Sequence, residues 1–218
     1  MKKGILRKIM IICILVCTFA LFGLSVAALR NQDDPFFKWG QLEHGHQNEA
    51  NTMAEPVPAI TGEHFVINSD ELDFLIEKQN LIDPNTAEAV AAETLIRKYS
   101  LYYQAEIAGV IVSDDYVDAV IDENIQIFSE TSSDEYDAFL EGIEMTNEEY
   151  WNSCAEEIKI TESIAAWKAL QYDQFLAENG YDLTPPDDLA AQWETYYNQL
   201  ESNIIEQENV QYHNTSSS

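Results

Sequence analysis

Basic residues are scarce in this 218-residue chain where they would matter most. Beyond residue 30, six Lys/Arg stand against all 39 Asp/Glu, a net charge of −33 for the remainder. Nucleic-acid binding rests on neutralising phosphates, so that class of partner is excluded. Cysteine is rarer still. Cys13 and Cys17 lie in an apolar leader and Cys154 is alone after it, so no intrachain disulfide can form outside the leader. The apolar helical setting of Cys154 marks a buried structural thiol rather than a nucleophile. Histidine occurs at His44, His46, His64 and His213, all outside the helical core pattern, which leaves a hydrolase without a base beside a nucleophile. No Gly-rich phosphate loop and no "DxDxDG" calcium loop is present. The sequence therefore calls for no cofactor and reads as a non-enzyme.

The first 30 residues differ from the others. Lys2, Lys3, Arg7 and Lys8 precede an uncharged run from Ile9 to Leu29. Its length suits the roughly 20 apolar residues that span a hydrocarbon core, and a basic flank stays cytoplasmic. Small residues at Ala27 and Ala28 also fit a cleavable signal peptide. Residues 1–30 are thus a signal anchor or a signal peptide, and both readings export the remainder. The location expected is the cell membrane, single-pass with an extracytoplasmic domain, or the secreted space after cleavage. Acidic excess on an exported domain keeps it soluble and self-repelling, with weak surface calcium binding as the sharper alternative.

Residues 31–62 hold Pro35, Pro56 and Pro58 and no sustained period, so they read as a flexible tether. Within them "EHGH" (Glu43, His44, Gly45, His46) could in principle meet a metal ion, but such a pair in a flexible segment reads as solvated histidines. Residues 208–218, ending "HNTSSS", read as a disordered tail whose "NTS" at Asn214 matches a glycosylation acceptor.

Between the flanks, residues 63–207 are patterned as helices. "HFVIN" is a short extended piece, and Asn68 or Ser69 opens a helix with Glu71 at capping-box spacing. Asp83 and Pro84 mark the next start, and a stripe of Ala92, Ile96, Tyr99, Tyr103 and Ile107 leads to Gly109. Ser113 caps a helix carrying Val117, Val120, Ile121 and Phe128, and a short helix is expected to stop at Gly142. Thr146 and Glu149 open a long helix to Gly180. That helix carries two opposed stripes, one with Trp151, Cys154 and Ile158, the other with Ile160, Ile164, Trp167 and Phe175. Thr184 and Pro185 begin a last helix bearing Leu189, Trp193, Tyr196, Leu200 and Ile204. The fold class expected is mainly α, about five or six helices behind the leader.

The order "INSDEL", then "LIRKYSLYYQAEIAGVIVSDDYVD", then "FLEGIEMTNEEYW" resembles the N-terminal chaperone domain of SurA-like and PrsA-like extracytoplasmic foldases. Matching positions are Ile67, Glu71, Leu72, Ala105, Gly109, Val112, Ser113, Val117, Asp118, Met145, Glu149, Tyr150 and Trp151. The resemblance spans residues 60–180 and consists of helix punctuation rather than chemistry. It implies a SurA N-terminal-like helical domain that holds clients. Foldases of this kind carry a parvulin isomerase domain where this chain has only "YDLTPP", Tyr181 to Pro186, so the isomerase part is missing.

A helix that is apolar on both sides has two neighbours, or one neighbour and one client. Ile164, Trp167, Phe175, Trp193 and Tyr196 are therefore the candidate client-binding residues, in a half-open groove between the last two helices. The partners expected are unfolded or secreted polypeptides, or one dedicated envelope protein, with membrane contact through the N-terminal helix. A holdase and a structural adaptor module are the two functions in view.

Overall fold

A computed structural model describes residues 34–50, 56–131, 133–181 and 186–213. Eight helices and a three-stranded sheet occur among them, so the chain is mainly helical. No helix among the described residues is long and apolar enough to cross a membrane. The leader, residues 1–30, and Asn214 lie outside the described residues.

The first departure from expectation is at the N-terminal flank. Residues 31–62, read as a tether, contain helix α1 (Pro35–Ala50) and strand β1 (Pro58–Thr61). Asp34 caps α1, its Oδ1 accepting the Phe36 N–H at 2.8 Å, and Pro35 takes the first position, where its missing N–H costs nothing. This helix packs on α5 (Asp134–Ile143) through Gly40 and Gly142. A Cβ on Gly40 would strike the Phe139 carbonyl, and one on Gly142 the Phe37 carbonyl. Around this crossing Phe36, Tyr136, Phe139 and Ile143 are buried together.

Helix α2 (Ser69–Asn80) starts at Asn68 without a side-chain cap. The expected capping box does not form because Glu71 is engaged elsewhere. Its Oε1 accepts from Tyr99 Oη at 2.6 Å and from Lys98 Nζ at 3.2 Å. Burial and this carboxylate together push the Tyr99 phenol far up. Asp83 organises a turn instead of a helix start, accepting from the Asn85 N–H at 3.0 Å and the Thr86 hydroxyl at 3.0 Å. Helix α3 accordingly begins three residues after Pro84 and runs Ala87–Ile107.

The punctuation after α3 forms as expected. Gly109 sits at φ +69°, where a side chain would be strained. Val110 N–H reaches back to Ala105 O and Gly109 N–H to Glu106 O, which satisfies the helix's last carbonyls. Ser113 accepts from the Tyr116 N–H and opens α4 (Asp114–Glu130). Expectation fails again at α5, which runs past Gly142. Glu144 takes the left-handed conformation, φ 59°, because Gly142 is committed to the contact with α1. Thr146 and Glu149 close a capping box on α6 (Asn147–Ser153). The long helix is broken at Cys154, and α7 runs Ala155–Asn179 to Gly180 at φ +69°. Cys154 is half-buried, and burial pushes its thiol up. Helix α8 spans Leu189–Gln207.

The C-terminal flank holds the last difference. Part of the expected tail, residues 208–218, is structured. Glu208 is buried and Gln211–Tyr212 form β3. The strand order is β2-β1-β3, with β2 at Val66–Asn68 and both pairings antiparallel. One face of the sheet, with Ile60 and Ile67, packs on Ala92, Leu95 and Ile96 of α3. Glu208 joins flank to hairpin, its carboxylate accepting from the His64 N–H at 3.0 Å and meeting His64 Nδ1 at 3.2 Å.

Candidate polypeptide-binding site

Helices α3, α7 and α8 share a core in which Leu101, Ala105, Trp167, Tyr197 and Ile204 are buried. Ser163, fully buried, accepts from the Val112 N–H at 3.1 Å and ties the turn after α3 to α7. This frame places the five sequence-predicted site residues. Phe175, Trp193 and Tyr196 come together, with ring centroids 5.6 Å (Phe175–Trp193), 5.0 Å (Phe175–Tyr196) and 5.7 Å (Trp193–Tyr196) apart. Ile164 packs at the edge of the core around Trp167.

The half-open groove is corrected in one respect. Trp167 is 3% exposed and Phe175 5%, so both belong to the interior. Trp167 packs 6.4 Å from Tyr197, within the core that α7 shares with α3 and α8. Ile164, Trp193 and Tyr196 remain half-exposed. What is left is a shallow aromatic seam rather than a groove.

Residues outside the predicted set complete the seam. Tyr172 stands edge-on to Trp193 at 5.0 Å, and Tyr181 edge-on to Phe175 at 6.0 Å; such offset pairs are favoured by the ring quadrupoles. The signal for Tyr197 was its i,i+4 spacing from Trp193, since such pairs meet on one helix face. Lys168 Nζ lies 4.0 Å from the Tyr197 ring centroid, and burial holds the amine below its ordinary pKa. Burial together with Glu201 pushes the Tyr197 phenol up. The seam offers apolar faces and phenol groups.

A second concave surface was not anticipated. A cleft of about 630 Å³ opens between the N-terminal half of α3, Ile205 of α8 and Tyr212 of β3. Ala92 and Ile96, both buried, line it together with the exposed Glu88, Ala89 and Glu93. Sequence reading could not find it, because it placed Tyr212 in a tail.

The "EHGH" stretch lies on α1. His44 Nδ1 is 2.9 Å from Ile143 O, and His46 stacks on Phe74 with centroids 4.0 Å apart. Glu43 accepts from Lys78 Nζ at 2.6 Å. Each side chain is thus occupied by protein contacts, and no group of three or more metal-ligating residues occurs among the described residues. No family model matches this chain, and neither a curated protein nor a solved structure matches it.

Proposed function

We propose that this chain is an exported, chaperone-like module that holds unfolded or extended polypeptides at the cell envelope and catalyses no reaction. The observation that carries the reading is the aromatic seam. Trp193 and Tyr196 stand half-exposed over Phe175, on a chain whose acidity would keep holder and client in solution. Burial of client side chains there contributes about 25 cal/mol per Å². With this function we propose the finer fold, a SurA-like N-terminal domain. It is supported by the left-handed Gly109, the Ser113 cap and the Thr146–Glu149 capping box, which stand where that resemblance wants them.

Suppression of aggregation of a thermally unfolded client tests the function. The parent chain should suppress it and Trp193→Ala should suppress it less per folded molecule. Equal suppression by both would reject the seam. Location is tested separately: protease added to intact protoplasts should degrade the domain, and protection would reject export.

The burial of Trp167 and Phe175 favours a second reading, since it narrows the accessible patch to one suited to a single dedicated envelope partner. Binding across a broad peptide array supports the holdase, and one stoichiometric partner in a crosslinking pull-down from intact cells supports the adaptor.

A further inference from the structure

Helix α1 changes what joins this domain to its leader. The apolar run ends at Leu29, and only residues 30–33 stand between it and Asp34, which caps α1. At about 3.6 Å per residue, the steps from Leu29 to Asp34 reach about 18 Å at full stretch. The domain does not hang loosely from there, because α1 is packed. Gly40 and Gly142 bring it against α5, and Glu43 accepts from Lys78 Nζ of α2 at 2.6 Å. A leader that spans a bilayer therefore holds the first turn of α1 close to the headgroup layer, which is itself about 5–7 Å deep on each side.

That end of the molecule differs from the rest of its surface. Helices α2 to α7 each carry an acid in the first turn, and α1 carries none. From Pro35 to His46 its one carboxylate is Glu43, already engaged by Lys78 and by the Trp39 indole N–H at 3.2 Å. With 3.6 residues per turn, Phe36 and Gly40 turn inward and are buried, while Phe37, Lys38, Gln41 and Leu42 fall on the outer side. Gln41 is exposed there and the other three are half-exposed. Neither Phe37 nor Leu42 packs in any of the four apolar clusters of the described residues. An aromatic ring, an aliphatic side chain and a lysine that snorkels are the groups favoured where hydrocarbon meets water. Glu141 and Glu144 stand exposed on either side of Gly142, so the attraction on offer is apolar rather than electrostatic.

We propose that the first two turns of α1 rest in the interface of the bilayer that the leader spans. Phe37 and Leu42 would face the acyl chains and Lys38 the phosphates, and the domain would lie against the membrane instead of standing off it on a tether. The inference rests on the reading of residues 1–30 as an uncleaved anchor. It also places the seam. Tyr150 packs in the same cluster as Phe36 and Phe139, and α7 starts soon after it, at Ala155. Phe175 stands further along α7, about 30 Å by helical rise, so clients would meet the seam at that distance from the anchored end.

The test uses the full-length chain in phosphatidylcholine vesicles, with Cys13, Cys17 and Cys154 changed to serine and an NBD fluorophore on Gln41→Cys. Part of the lipid carries a nitroxide quencher high on its acyl chain. Quenching at Gln41→Cys should be several-fold stronger than at Asp115→Cys and Ala190→Cys, which are exposed on α4 and α8. Phe37→Ser combined with Leu42→Ser should remove most of that excess. A flexible Gly/Ser insertion of about twelve residues after Arg30, about 20 Å on average, should leave most of it in place. The insertion alters no described residue, so it decides the matter even where the double variant fails to fold. A chain that does not float with the vesicles overturns the anchor, and this inference with it. A chain that floats, with Gln41→Cys quenched no more than the other two sites, overturns the inference alone. Loss of the excess on insertion does the same, since a short leash and not the face of α1 would then be the cause. A blue-shifted label that the nitroxide lipid does not quench, the sign of a second copy or a client on this face, overturns it as well.

Discussion

Replacing Gly142 with alanine tests the docking of α1, the element that sequence reading missed. Two effects of opposite sign compete. Alanine is favoured over glycine in a helix interior by about 1 kcal/mol. Against that, the new methyl would meet the Phe37 carbonyl, and the next nearest atoms, Phe37 C at 3.0 Å and Gln41 N at 3.2 Å, are also backbone. No side chain can rotate out of the way, so the helices must separate. Overpacking of this kind costs 1–3 kcal/mol, occasionally more. If α1 came away altogether, the loss of Phe36 burial alone would be about 1.5–3 kcal/mol. The Phe37 carbonyl lies far inside any real Cβ contact, so the cost sits at the upper end of that range, about 2–3 kcal/mol, and the net destabilisation should be about 1–2 kcal/mol. With a urea m-value of about 2 kcal/mol/M, the midpoint should fall by roughly 0.5–1 M, read by far-ultraviolet circular dichroism. Gly45 on the same helix is the control, because nothing lies within 4 Å of a Cβ built there. Gly45→Ala should raise the midpoint, since only the propensity gain operates. Were Gly142→Ala to raise it too, α1 would not be packed on α5 at this crossing.

Trp167→Ala should cost about 3–5 kcal/mol, the usual range for a buried aromatic, and lower the melting temperature by roughly 10 °C or more; calorimetry showing a change of a degree or two would place Trp167 outside the core. Glu144→Gly should stabilise the chain by up to about 1 kcal/mol, because glycine relieves the left-handed strain at φ 59°, and an unchanged urea midpoint would contradict that. Burial pushes the Tyr136 phenol up to about 12, while in the unfolded chain it ionises near 10. Its contribution is complete below pH 10 and is lost as pH rises toward 12. Urea midpoints should therefore fall across that window in the parent chain and fall less in Tyr136→Phe.

How much of this was legible in the sequence depends on how local each signal is. Ser113, Gly109 and the Thr146–Glu149 pair act on groups within a few residues of themselves, and all formed where expected. Helix α1 was hidden because Gly40, Gly45 and two histidines are poor helix formers, although "DP" at Asp34–Pro35 is the same start signal used at Asp83–Pro84. Its stability comes from a partner about a hundred residues away, as shown by His44 against Ile143, 99 residues apart. Gly142 was read as a stop because its packing duty depends on that same distant helix. Strand β3 is two residues long and carries no period at all. The aromatic seam was legible in composition and spacing, yet which of its rings are covered was not, since one helix cannot report the depth of its neighbour.

The pairing of β1 with β3 sets the order in which this chain can be completed. Thr61 and His213, 2.9 Å apart, are separated by 152 residues, and closing a loop of that length costs about 4 kcal/mol in chain entropy. The hairpin of β1 and β2 is made first, and the third strand and Glu208 follow only after the helices between them. Until then His64 lacks its carboxylate partner and the outer side of β1 stands open. The N-terminal flank is therefore a half-finished edge until β3 and Glu208 have been made.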